Sequence, residues 1–231
     1  MAQAAQNHLI ELLPKADQKR LLGKCESVEL KMGQVLCEAG SPLRMAYFPV
    51  DSFISLLTRI EQHPSLEVGM VGREGCFGST LTLGINTAAL QALVQGSGSA
   101  WRISGPALRE QLDASPALSR LLKRYLYVVM EQMTSASACL RFHLIGPRLA
   151  RWLLMSEDRA HAKNFHVTHE FLAAMLGVRR VGVTVAAGEL QRRGLIQYHR
   201  GELTVVDRAG LEASACPCYA RQRLAYAALL G

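Results

Sequence analysis

The chain has 231 residues, 49% of them apolar and 19% charged, a balance suited to a globular protein with a substantial core. Its longest apolar stretches are broken by charge or glycine before reaching the roughly 18 residues a membrane helix needs. The opening segment also lacks a basic start followed by a long apolar run, so neither a membrane span nor a signal peptide is expected and a cytoplasmic chain is.

Charge is unevenly placed. Residues 1–115 carry 10 Lys/Arg against 11 Asp/Glu, whereas residues 116–231 carry 16 against 8. A basic back half suits a polyanionic partner, although a solvated basic face would look the same. The cysteines are Cys25, Cys37, Cys76, Cys139, Cys216 and Cys218. They form no CxxC pair, and no second cluster follows Cys216-Pro217-Cys218 in sequence, so reduced thiols and no metal site are expected.

In chain order, residues 7–24 read as a short amphipathic helical region interrupted at Pro14, with Leu9, Leu12, Leu13, Leu21 and Leu22 on its apolar side. From Val28 to Ile103, short apolar runs alternate with turn signals such as Met32-Gly33, Gly40-Ser41-Pro42 and Gly96-Ser97-Gly98. Met45 to Val50, Phe53 to Arg59, Leu66 to Val71 and Leu90 to Val94 have strand length and strand residues. Many short strands at close spacing predict a sandwich or barrel.

After Ser104 the pattern turns helical. Ser115 is placed to cap a helix with Pro116 at its first position. Leu118, Leu122, Tyr125, Val129, Gln132, Ala136, Cys139 and His143 then recur at alternating steps of four and three. That heptad-like seam runs for about 25 residues, roughly 37 Å. A helix of this length exceeds what one small domain buries, so the seam predicts dimerisation, with a core-facing stripe as the alternative. Gly146-Pro147 is predicted to end this helix. Arg148 to Glu157 forms the next one, with Leu149, Trp152 and Leu153 inward.

Val167 to Ile196 is the most informative stretch. Thr168 is a predicted N-cap, with Glu170 in the first turn where the helix dipole favours an anion. Leu172, Met175 and Leu176 form a buried face, and Gly177 supplies the left-handed residue that opens a tight turn. A second helix starts near Arg179 with Val183, Ala186, Ala187 and Leu190 inward. Helix, glycine turn and helix at this spacing predict a helix-turn-helix. The outward residues of the second helix, Arg179, Arg180, Val181, Thr184 and Val185, are the expected base readers. Guanidinium groups pair with guanine, and methyl groups pack on thymine. Thr168 and His169 are placed to reach phosphates. Two alternating stretches flanking His199 to Glu202 predict a β-hairpin wing with Arg200 at its tip.

This constellation resembles the Crp/Fnr family of bacterial transcription regulators. Its most specific part is Thr168-x-Glu170-x-Leu172-Ala173-x-x-Leu176-Gly177-Val178-x-Arg180-x-x-Val183, followed by Leu190, Gly194, Leu195 and Ile196. Residues 32–40 and Tyr47-Phe48-Pro49 look like the opening strands of that family's effector-binding β-roll. The resemblance implies an α+β fold: a cyclic-nucleotide-binding-like β-roll with N-terminal helices over 1–114, a dimerisation helix over 115–145, and a winged helix-turn-helix over 146–231. It implies a homodimer on palindromic double-stranded DNA, with RNA polymerase as a further partner and no membrane.

Cyclic-nucleotide-binding members carry a Gly-Glu pair and a downstream arginine for the ribose and cyclic phosphate. Here Gly78-Ser79 and Asn86-Thr87 occupy those positions, so the effector pocket is expected at Gly78, Ser79, Asn86 and Thr87, with cyclic AMP disfavoured. Cys25, Cys37 and Cys76 do not reproduce the tight spacing of iron–sulfur members. Cys76 and His143, the available haem ligands, are better read as structural. No cofactor is assigned. A cyclic-nucleotide-responsive regulator is the alternative within the family. A cupin-like metal enzyme is the alternative outside it, and it needs several ligands on barrel strands, whereas of the seven histidines only His63 lies in the β-rich region. No catalytic residue is expected.

Overall fold

The computed structural model describes residues 7–160 and 164–231; the start of the segment searched for a signal peptide, residues 1–6, lies outside the described residues. Pro14 separates α1 (His8–Glu11) from α2 (Lys15–Leu22). Leu9, Leu13 and Leu21 are buried as expected, but α1 stops at Glu11, and Leu12, at its C-cap, faces solvent.

Seven strands follow: β1 (Glu26–Leu30), β2 (Val35–Cys37), β3 (Met45–Pro49), β4 (Phe53–Thr58), β5 (Leu66–Val71), β6 (Gln91–Gly96) and β7 (Gly98–Ser104). They pair antiparallel into two sheets, ordered β1-β7-β3 and β2-β6-β4-β5. Phe48, Ile54, Val94 and Ile103 fill the space between the sheets. His63 lies in the loop between β4 and β5, off the strands.

Ser104 caps α3 (Gly105–Ala114), and Ser115 caps α4 (Pro116–Phe142), its hydroxyl accepting from the Leu118 amide at 3.1 Å. The break after α4 falls at His143-Leu144, and Gly146-Pro147 opens α5 (Ile145–Ala160) instead of ending α4. Proline is tolerated there because amides of a first helical turn have no intrahelical acceptor.

The residues of the predicted dimer seam are covered within the chain, as in the core-facing alternative. Leu118, Leu122 and Tyr125 are buried in the core of the β-roll of the same chain, with Val129 packed against it. Gln132 and Ala136 are buried too, with Gln132 facing Gly69 of β5. The periodicity identified a buried face correctly, but the chain covers that face itself. Tyr127, Met130 and, at the end of the helix, Phe142 are the large apolar side chains of α4 left exposed.

A second core joins α5 to α6 (His169–Leu176), α7 (Arg180–Arg192), β9 (Ile196–His199), β10 (Glu202–Val205) and α8 (Arg208–Ser214), and β8 (Asn164–His166) pairs with β10 beside it. Leu57 and Met70 of the β-roll belong to it, so the two parts of the chain are packed together. At that junction the Trp152 indole donates to Glu67 of β5 at 3.0 Å, and Ser55 donates to the same carboxyl at 2.5 Å. The last helix, α9 (Cys218–Leu230), runs back along α4. Its Tyr226 hydroxyl donates to the Glu74 carbonyl at 2.8 Å and meets His8 Nδ1 at 2.7 Å, while Leu230 enters the β-roll core. No single helix among the described residues is long and apolar enough to cross a membrane.

Candidate nucleic-acid interface

Local signals build α6 and α7. The Thr168 hydroxyl accepts from the Phe171 amide at 3.1 Å and caps α6. At the other end Gly177 adopts φ 61°, and the amides of Gly177 and Val178 close back on Ala174 and Ala173. This C-cap needs a residue free of the left-handed penalty, hence glycine. The helix axes then turn by 108° into α7, within the usual helix-turn-helix range. Leu172, Met175, Leu176, Val183, Ala187 and Leu190 are buried between the two helices and α5.

Burying that face leaves the other outward. Arg179 is the N-cap of α7 and Arg180 its first residue, both exposed. Val181 and Val185 are 72% and 69% exposed, which is unusual for valine and leaves two methyl-bearing surfaces on the outer side of the helix. Among the described residues, no hydrogen bond or ion pair occupies the side chain of Arg179, Arg180 or Arg200. Arg200 and Gly201 form the two-residue tip between β9 and β10, with φ of 50° and 91°, the positive pair that a tight hairpin turn requires. The sequence reading missed the third strand of this sheet, β8, which pairs with β10.

His169 and Thr184 are brought together, at 3.0 Å between Nδ1 and Oγ1. The Thr184 hydroxyl also donates to the Arg180 carbonyl at 3.2 Å, which leaves His169 as the donor from Nδ1. The His169 ring stacks on Tyr198 of β9, with centroids 4.5 Å apart. Burial, and then the nearby Arg180 charge, hold His169 below the usual imidazole range. A neutral, stacked, hydrogen-bonded ring is built to fix the wing against α7, a different placement from the phosphate reach expected of it. Tyr198, absent from the predicted set, is the other half of that contact. Its hydroxyl donates to the Val167 carbonyl at 3.0 Å.

Gly182 and Gly188, unexplained by periodicity, separate here. A Cβ at Gly182 would lie 2.6 Å from Ile145 Cδ1, so this glycine lets α5 approach α7, whereas nothing lies within 4 Å of a Cβ at Gly188. Gly188→Ala should therefore raise stability by about 0.5–1 kcal/mol, read as a higher denaturant midpoint with unchanged slope.

The expected effector residues lie in the connection between β5 and β6. Gly78, with φ 93°, packs against the backbone of Ala46, and Ser79 is buried at the start of a 3-10 turn. Asn86 and Thr87 are exposed, with Thr87 bridged to Pro42. Burial pushes the Cys25 thiol up to about 12 and raises that of Cys76 well above the usual thiol range, so neither is a ready thiolate. A cleft of about 740 Å³ lies elsewhere, between β5, α4, α5 and α9, and is lined by Arg73, Gln132, Arg159 and Tyr226 among others. Arg159 is paired there with Glu74 at 2.9 Å. Sequence reasoning missed this cleft because it exists only through the return of α9. Sequence spacing also gave no sign of a second convergence: Cys139 and His143 at the end of α4 meet Cys216 and Cys218.

Comparison with known proteins agrees with this geometry. Residues 147–214 match the Crp-like helix-turn-helix domain. No curated protein matches the chain. Among solved structures, the c-di-GMP responsive global regulator CLP of Xanthomonas campestris superposes with a TM-score of 0.67 at 17% identity, over 83% of this chain and 99% of that one. FixK2 of Bradyrhizobium japonicum gives 0.68 at 14% identity, over 83% and 98%. A CRP/FNR-family transcriptional regulator of Thermus thermophilus gives 0.67 at 24% identity, over 82% and 98%. Residues 147–214 thus match the Crp-like helix-turn-helix domain, and more than four-fifths of the chain shares the fold of these solved regulators.

Proposed function

We propose that this protein is a homodimeric, sequence-specific DNA-binding transcription regulator that answers to an effector held by the β-roll. The observation that carries the reading is the first turn of α7. Arg179, Arg180 and Val181 are exposed there, with neither guanidinium partnered among the described residues, Val185 is exposed one turn on, and the wing tip adds Arg200. Such a helix start presents bidentate donors and methyl groups to base edges in the major groove. Arg200 supplies a cation for the backbone, and Thr168 a hydroxyl beside it.

Because Leu118, Leu122 and Tyr125 are buried within the chain itself, we place the dimer face on the outer side of α4 and α9. Tyr127, Met130 and Leu224 are exposed there beside a shallow groove between the two helices. Large apolar side chains left together on a helix surface favour a partner. Cyclic AMP does not suit the β-roll connection, because neither Ser79 nor Asn86 provides the carboxylate or cation that a ribose and cyclic phosphate need.

Selection of bound duplexes from a random library tests the reading, with light scattering on the same preparation. An inverted repeat with half-sites about 10 base pairs apart is expected. The particle should have twice the chain mass of 25.3 kDa, and selection should be unaltered by cyclic AMP. Failure to enrich any sequence would sink the assignment, and a monomer in solution would remove the dimer.

A further inference from the structure

One cluster is not used by the DNA-binding reading. Cys139 lies on the last turn of α4 and His143, four residues on, is its C-cap, and their side chains meet at one point. Cys216 and Cys218 flank Pro217, the N-cap of α9, and the Cys216 amide donates to the Pro147 carbonyl at 3.2 Å, which pins this loop against α5. Fold topology thus brings a CxxxH pair and a CPC pair, 77 residues apart in sequence at Cys139 and Cys216, to one point.

The geometry there is that of a ligand set. The three sulfurs and one ring nitrogen all lie within 4.8 Å of one another. Cys139 and Cys216 are 3.5 Å apart at Sγ, and Cys218 Sγ lies 3.6 Å from His143 Nδ1. A tetrahedral zinc ion, with sulfur at about 2.3 Å and nitrogen at about 2.0–2.1 Å, holds its ligand atoms roughly 3.5–3.8 Å apart. The set is therefore close to the size of one ion, and too tight to span a cluster of several metals. Cys139, Cys216 and Cys218 are buried and form a small core of their own, separate from the two large apolar cores. Buried thiols that only fill space are normally dispersed among aliphatic side chains. Three converging on an imidazole are not. Arg148 and Arg151 lie close enough to act electrostatically on Cys139, and they would offset the net negative charge of three thiolates around a divalent ion.

We propose that Cys139, His143, Cys216 and Cys218 form a closed four-coordinate site for a single zinc ion. Binding would displace the thiol protons to solvent and leave no open position, so the site is structural rather than catalytic. It would fasten the end of α4 to the start of α9 across the His143-Leu144 break, where the β-roll passes into the DNA-binding part. The proposal stands independently of DNA recognition.

Full-length protein without a histidine tag, purified under reducing conditions, should carry about one zinc per chain by elemental mass spectrometry. After chelation, cobalt(II) titration should give the intense visible bands of a tetrahedral thiolate site, saturating at one equivalent. Cys216→Ser and Cys218→Ser should each weaken metal binding at least about tenfold, His143→Cys should retain it, and Cys25→Ser should leave it untouched. Metal removal should lower the Tm of the wild-type chain, and re-addition should restore it. Several results would overturn the assignment: reduced protein that gives no cobalt bands, metal retained by a Cys216→Ser/Cys218→Ser double variant, or iron with acid-labile sulfide in place of zinc. A Cys139–Cys216 disulfide whose reduction yields no metal affinity would overturn it equally.

Discussion

An Arg180→Ala variant should bind its selected DNA site about 5- to 150-fold more weakly than the wild type, a loss of about 1–3 kcal/mol, while keeping most of its affinity for random duplex. The expectation follows from position. Arg180 is the first residue of α7, is exposed, and has no partner among the described residues, so its removal leaves no buried group stranded and no ion pair broken. Folding stability should change by less than about 0.5 kcal/mol, which lets a binding defect be read as one. Fluorescence anisotropy on selected and scrambled duplexes at two salt concentrations separates the possibilities. A base reader loses specific affinity with little change in salt slope, whereas an equal loss on both duplexes would make Arg180 a phosphate contact.

Glu67→Gln should flatten much of the pH dependence of stability between about pH 4.5 and 7. Burial raises the Glu67 carboxyl to about 7 against the opposing pull of the Ser55 hydroxyl, Arg151, Arg159 and Trp152. With a folded value above the unfolded one, both states hold the proton at low pH and nothing is lost. As pH rises past about 4.5 the unfolded chain ionises first, so stability falls until the folded carboxyl also ionises near 7, and then levels off. The penalty is on the order of 3 kcal/mol for a shift of this size. Glutamine keeps an acceptor for the Trp152 indole and cannot ionise. Urea midpoints for both proteins at pH 5, 6, 7 and 8 should therefore diverge upward in pH, with the variant the more stable. Parallel curves would place the carboxyl in contact with water.

What the sequence made legible was local. Thr168, Gly177 and the Arg200-Gly201 tip each announce a cap or turn through the chemistry of one or two residues, and the elements formed where those residues put them. Strands with an apolar face, such as β4 and β5, were also readable. β1, spelled Glu-Ser-Val-Glu-Leu, and the three-residue β8 were not, because their pairing comes from neighbours and not from their own pattern. The α4 seam shows the limit of periodicity. Alternating steps of four and three say that one face is covered, but Leu118, Leu122 and Tyr125 do not say by what. The meeting of Cys139 and His143 with Cys216 and Cys218, and the α4–α9 cleft, were beyond reach for the same reason, since both depend on where α9 goes after Pro217.

That return of α9 has a mechanical consequence. A winged domain attached by one linker could pivot freely, but here the segment beyond α8 is anchored on the far side of the joint through Tyr226, His8, Glu74 and Leu230. Two struts then span one joint, like a braced door, and rotation about His143-Leu144 is possible only if the second strut slides or lets go. Releasing the buried Leu230 side chain alone costs roughly 1.5–3 kcal/mol. A signal that repositions the DNA-binding part must therefore deliver at least that much differential binding energy, and the place where it is spent is the α4–α9 contact.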